Sequence, residues 1–220
     1  MLERKKIAMV GAEFLGTAIL TAVILGVSKS NIGIPYFVAI AAGVTVAAGT
    51  IVFGAISGAH FNPAITLGLW SARKVKTLPA LVYVAAQLFG AICAYLLYTY
   101  FVNSTTSNSG QFDSRVLVAE TVGAFIFSLG WAAAVYQKLD PAKAAFAVGS
   151  SLMLGIIVAA VASGGIINPA VALGMRSWVW GTYVLGPILG AVIGFNLYAL
   201  LFAPKASLIE DAAPAKSKKK

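Results

Sequence analysis

The sequence predicts an all-α membrane protein, with six transmembrane helices and two re-entrant half-helices arranged as an inverted repeat. Three observations predict it. The 220 residues are 60% hydrophobic and only 10% charged, whereas soluble domains carry charge on about a quarter of their residues. Six apolar runs have the length a bilayer demands, roughly 20 residues for a core about 30 Å thick. Nearly the same proline-broken stretch also occurs twice, SGAHFNPAITLG at 57–68 and SGGIINPAVALG at 163–174.

The six runs cover 7–27, 36–56, 79–102, 116–136, 144–162 and 178–202. The first is too long, and too well matched by later runs, to be only a cleaved signal peptide. An even number of spans leaves both termini on one side, and lysine and arginine decide which. Thirteen basic residues fall on one side (Arg4, Lys5, Lys6, Arg73, Lys74, Lys76, Lys138, Lys143, Lys205, Lys216, Lys218, Lys219 and Lys220) and three on the other (Lys29, Arg115 and Arg176). The first side, with both termini, is therefore expected in the cytoplasm. The same placement argues against nucleic acid as a partner, despite a net charge of +9. The basic 206–220 segment reads as a disordered, solvated cytoplasmic tail. Cys93 is the single cysteine and has no intrachain disulfide partner.

The repeated stretches do not fit a six-span ladder. Each continues for about ten apolar residues after its Asn-Pro-Ala, and ten helical residues rise about 15 Å, half the hydrocarbon core. Irregular backbone at that depth survives only where protein or a watery cavity surrounds it. Asparagine is a favoured N-cap and proline a favoured next residue, so Asn62-Pro63-Ala64 and Asn168-Pro169-Ala170 each read as a half-helix start. A capping asparagine uses its side-chain oxygen on the helix and keeps its NH₂ group for other partners. Two caps meeting at the midplane bring two donors and two positive helix ends to one spot.

The repeat reaches further. Glu13 stands 49 residues before Asn62, and Glu120 stands 48 before Asn168. LFGAICA at 88–94 resembles ILGAVIG at 188–194. Each half, about 7–102 and 116–202, thus holds three spans and one half-helix. Three is odd, so the second half enters the membrane from the opposite side, as in folds whose central site forms between broken helices. One channel-like domain over 1–205 is the expected organisation.

Two Asn-Pro-Ala boxes in a six-span inverted repeat, each half with a glutamate in its first span, resemble the aquaporins, or major intrinsic proteins. Seven of thirteen positions are identical between 56–68 and 162–174. The resemblance implies a right-handed bundle with one pore per subunit, a homotetramer, and a passive channel in the cell membrane for water or small uncharged solutes, with no cofactor. It implies that Asn62 and Asn168 line the pore. It makes Glu13 and Glu120 acceptors for the re-entrant backbone rather than proton carriers, and puts His60 at the cytoplasmic pore mouth. A lone histidine is no metal site, which wants three or four ligands. No nucleophile–base pairing suggests an enzyme.

One departure stands out. Family members usually carry arginine at the third position after the second asparagine; here it is Val171. Its three partners in the family's outer constriction fall at Ala42, Ile156 and Gly165. Arg176 lies five residues further on, about 500° of helix rotation away, and points elsewhere. A polar ring with arginine replaces lost water hydrogen bonds and repels cations; an apolar ring does neither. Water is the default permeant, and weakly polar molecules such as ammonia are penalised less by this ring. Glycerol-type facilitation, secondary transport and a closed-pore scaffold are the competing readings.

Overall fold

Prolines mark where helices begin in this chain. Pro35, Pro63, Pro141 and Pro169 all sit in a first helical turn, where the missing N–H has no partner to lose. The computed structural model describes residues 2–30, 35–105 and 110–204. The basic tail and the 106–109 loop lie outside the described residues. The helices are α1 (Leu2–Lys29), α2 (Pro35–Ser57), α3 (Pro63–Ser71), α4 (Thr77–Val102), α5 (Ser114–Tyr136), α6 (Pro141–Ala159), α7 (Pro169–Gly174) and α8 (Leu185–Leu201), with a π-helical turn at Trp180–Val184 leading into α8. No strand occurs among the described residues. Six of these segments are long and apolar enough to cross a bilayer, the last formed by the π-turn and α8 together.

The two short helices, α3 and α7, are the half-helices. Each ends in the same way. Arg73 and Arg176 adopt left-handed backbone at φ 60° and 59°. Lys74 N–H then bonds to Leu69 O at 2.8 Å, and Ser177 N–H to Ala172 O at 2.9 Å. This is the Schellman ending, normally glycine's. It stops α7 after six residues and α3 after nine, so the second half-helix is shorter than the ten residues its apolar run suggests. Arginine in the left-handed region costs roughly 1–2 kcal/mol, and the two recovered carbonyl bonds offset that.

Packing follows the inverted repeat. α1 packs against α2 and α4, as α5 packs against α6 and α8. The half-helices are exchanged: α3 lies against α8 of the second half, and α7 against α4 of the first. The outside is apolar, with Val44, Ile51, Leu81, Phe89, Leu96, Phe146, Leu154 and Ile193 exposed. The polar groups Glu13, Thr17, Thr66, Gln87, Glu120, Ser128 and Thr182 are fully buried. That reverses the order of a soluble protein and suits a bundle whose solvent is lipid.

Candidate functional site

Two buried carboxylates build the site. Glu13 accepts from Ser57 Oγ at 2.6 Å, from His60 N–H at 3.0 Å and from Phe61 N–H at 2.8 Å. Glu120 repeats the pattern with Ser163 Oγ at 2.7 Å, Ile166 N–H at 3.0 Å and Ile167 N–H at 2.5 Å. Ser57 Oγ in turn accepts from Ala59 N–H, and Ser163 Oγ from Gly165 N–H. These bonds hold the stretches before the half-helices in unusual backbone: φ is positive at Gly58, Ala59 and Phe61, and again at Gly165 and Ile167. The chain turns so tightly here that its N–H groups find no helical partner, and each carboxylate supplies one.

The asparagines follow. Asn62 caps α3 by accepting from Ala64 N–H at 2.8 Å, and Asn168 caps α7 by accepting from Ala170 N–H at 3.0 Å and Val171 N–H at 3.3 Å. Their amide groups cross between the halves. Asn62 Nδ2 donates to Ile167 O at 3.0 Å, and Asn168 Nδ2 donates to Phe61 O at 2.9 Å. Each NH₂ thereby uses one hydrogen and keeps a second. The carbonyls are available because Phe61 and Ile167 are left-handed, at φ 50° and 41°.

Both asparagines border one internal cavity, together with Leu20, Ile24, Ala42, Val46, His60, Phe127, Leu152, Ile156, Ile166 and Val171. The space open to the centre of a water molecule within it is about 10 Å³, close to the least that holds one water. It therefore has room for about one water molecule. Of the four positions assigned to the outer constriction, Ala42, Ile156 and Val171 border this cavity. Gly165 does not, but at φ +61° a Cβ there would stand 2.9 Å from Ile156 O. Ile166 takes the lining place beside it. Arg176 holds its guanidinium 5.6 Å from the centre of the Tyr95 ring and is absent from the lining.

His60 is buried and borders the cavity. Its ring meets Tyr83 and Trp131 edge-on at 5.3 and 5.6 Å. Its Nδ1 lies 3.1 Å from Thr66 Oγ1. Gln87, which the sequence did not single out, joins the first half only: its Nε2 donates to Glu13 Oε2 at 2.8 Å and to Thr66 Oγ1 at 2.9 Å. Leu20, Val46, Phe127 and Leu152 were also missed, although the repeat contains them. Leu20 and Phe127 each stand seven residues after their glutamate, and Val46 and Leu152 each sixteen before their asparagine. Among the described residues no group of three or more His, Cys, Asp or Glu is disposed to hold a metal.

Six spans, two exchanged half-helices and a narrow cavity at their crossed caps define an inverted-repeat membrane channel. The chain matches the family described as Major intrinsic protein over residues 3–198. It is similar to aquaporin Z of Photorhabdus laumondii, 31% identical over 225 residues that cover 88% of this chain and 97% of that protein. It is also similar to aquaporin-5 of Homo sapiens, 34% identical over 227 residues covering 92% and 84%. The X-ray structure of the aquaglyceroporin from Plasmodium falciparum shares its fold, with a TM-score of 0.76 over 92% of this chain and 99% of that one at 23% identity. The chain belongs to the major intrinsic protein family. It is accordingly a membrane channel for water or small solutes, and its aquaporin relatives are not enzymes.

Proposed function

We propose that the protein is a passive, multi-pass channel of the cell membrane for water and small uncharged solutes, with an apolar outer constriction formed by Ala42, Ile156, Gly165 and Val171. One observation carries this reading. Asn62 and Asn168 border a cavity with room for about one water molecule, whose wall at Ala42, Ile156 and Val171 is apolar. The asparagine N–H groups and the two helix N-termini offer a permeant hydrogen-bond donors while disfavouring cations. The outer wall offers no charge. The apolar wall also favours a second reading, a facilitator for ammonia-type molecules with a smaller water role, because such molecules give up less hydration there than water does.

In this reading Glu13 and Glu120 are structural, both termini and the basic loops face the cytoplasm, and the subunits assemble as a homotetramer, each with its own pore in a single channel domain. Stopped-flow light scattering on reconstituted vesicles, with water, urea, glycerol and ammonia gradients, tests the proposal. Fluxes above those of empty vesicles that rise linearly with gradient support a channel. Saturation with dependence on a coupling ion identifies a transporter. Flux equal to that of empty vesicles leaves only a closed-pore scaffold.

A further inference from the structure

The inverted repeat makes each lining residue of one half point to a partner in the other. Leu20 and Ile24 stand seven and eleven residues after Glu13, and both line the cavity. Phe127 and Trp131 stand seven and eleven residues after Glu120, and Phe127 lines the same cavity. Trp131 is thus the repeat mate of Ile24. It lies one turn along α5 from Phe127, on the same helix face. His60 and Ile166 are mates in the same sense, each two residues before its asparagine, and both line the cavity. At one end of the passage, then, Ile24 accompanies Ile166, Ile156 and Val171, all apolar. At the other, Trp131 accompanies His60.

Trp131 is buried at 5% exposure, and its indole Nε1 has no hydrogen-bond partner in the protein. A buried donor left unpaired is costly. Its ring is packed edge-on at 5.6 Å against His60, which itself borders the cavity. His60 complements it. Thr66 Oγ1 donates to Asn62 O at 3.1 Å and accepts from Gln87 Nε2 at 2.9 Å. With its one hydrogen so used, Thr66 receives the proton of His60 Nδ1, and Nε2 is left as an acceptor.

We infer that Trp131 and His60 form a second, polar constriction at the end of the passage opposite Val171, which binds a small neutral molecule able both to accept and to donate a hydrogen bond. The indole N–H donates to the permeant and the imidazole Nε2 accepts from it. Trp131 is the specificity-determining residue of this inner site, and the discrimination absent from the outer ring is made here. The inference rests on the channel reading above.

The test is Trp131→Phe, which keeps a packed ring and removes the N–H. Water and ammonia fluxes are measured on the same vesicles, and their ratio does not depend on how much protein folds. Water flux should fall about two- to tenfold, the worth of one hydrogen bond, while ammonia flux falls less. Trp131→Cys in a Cys93→Ser background supplies an independent readout. Its water flux should be blocked by mercuric chloride, while the Cys93→Ser channel alone is not. An unchanged flux ratio in Trp131→Phe, or a conducting Trp131→Cys channel that mercury does not block, overturns the inner site and leaves the channel standing. A wild-type flux equal to that of empty vesicles overturns the channel reading itself, and the inner site with it.

Discussion

Gly43 of α2 and Gly149 of α6 face each other so closely that neither tolerates a side chain. A Cβ at Gly43 would stand 2.7 Å from Gly149 O, and one at Gly149 would stand 2.5 Å from Gly43 O. The obstruction in both cases is backbone, which cannot swing aside. This contact joins the first half of the molecule to the second. Gly149→Ala should therefore lower stability by about 1–3 kcal/mol, the usual cost of overpacking, and Gly43→Ala should do the same. Thermal unfolding of the purified protein in detergent measures it; a melting temperature equal to wild type would refute the close crossing.

The two buried carboxylates differ by one partner, and the difference is measurable. In Glu120→Gln, one acceptor oxygen becomes a donor facing either Ser163 Oγ and the Ile166 N–H or the Ile167 N–H. Each buried donor left without an acceptor costs about 1–3 kcal/mol. Glu13→Gln creates the same conflict and also weakens the Gln87 Nε2 bond to this side chain, leaving that group to rely on Thr66 Oγ1. Both variants should melt below wild type, Glu13→Gln lower of the two. The opposite order would mean that Gln87 adds nothing to the first half.

Much of this architecture is legible in the residues, and the exceptions have physical causes. Asn62-Pro63 and Asn168-Pro169 announce the half-helix starts because capping is local chemistry. The early end of α7 is hidden because arginine, a good helix former, occupies the left-handed position at Arg176. The crossed amide bonds to Phe61 O and Ile167 O depend on positive φ at a bulky and a β-branched residue, a conformation that sequence argues against. Gln87 is invisible for a different reason. It sits in an apolar run 74 residues from Glu13, and its repeat mate is Pro187, so the internal symmetry gives no hint of it. The π-turn at Trp180–Val184 leaves no recognisable mark in the sequence.

Val171→Arg tests the apolar outer ring. Val171 is 1% exposed and borders the cavity, so an arginine there narrows the passage and adds a cation. Glycerol and urea fluxes should fall well below wild type, with a smaller change for water. Solute fluxes that stay at the wild-type value would show that Val171 does not line the constriction.

Asn168→Asp separates the cap from the cross-half bond. The aspartate still accepts from Ala170 and Val171 N–H, but it cannot donate to Phe61 O, and it brings a negative charge to the cavity. Acidic groups favour cations in a pore. Cation leak into vesicles, followed with a pH- or sodium-sensitive dye, should rise above wild type. A leak no greater than wild type would mean that the Asn168 side chain does not face the permeation path.

The topology is tested in a Cys93→Ser background. A membrane-impermeant thiol reagent added outside should label Ser107→Cys and spare Ser217→Cys; both positions lie outside the described residues. The reverse pattern would invert the whole assignment.

The crossed amides also set a timetable for the newborn chain. The Phe61 carbonyl accepts from a side chain 107 residues later, and the Asn62 amide donates to a carbonyl 105 residues later. At about 5–20 residues per second of synthesis, the first half waits roughly 5–20 s in the bilayer before its counterpart exists. Throughout that interval its re-entrant loop has its own Glu13 bonds but lacks the two that cross to the second half. The first three spans of this protein thus emerge as an unfinished half whose loop gains its last two bonds only when the second half arrives. A ribosome stalled between the two asparagines would leave a membrane protein with no passage at all rather than half of one.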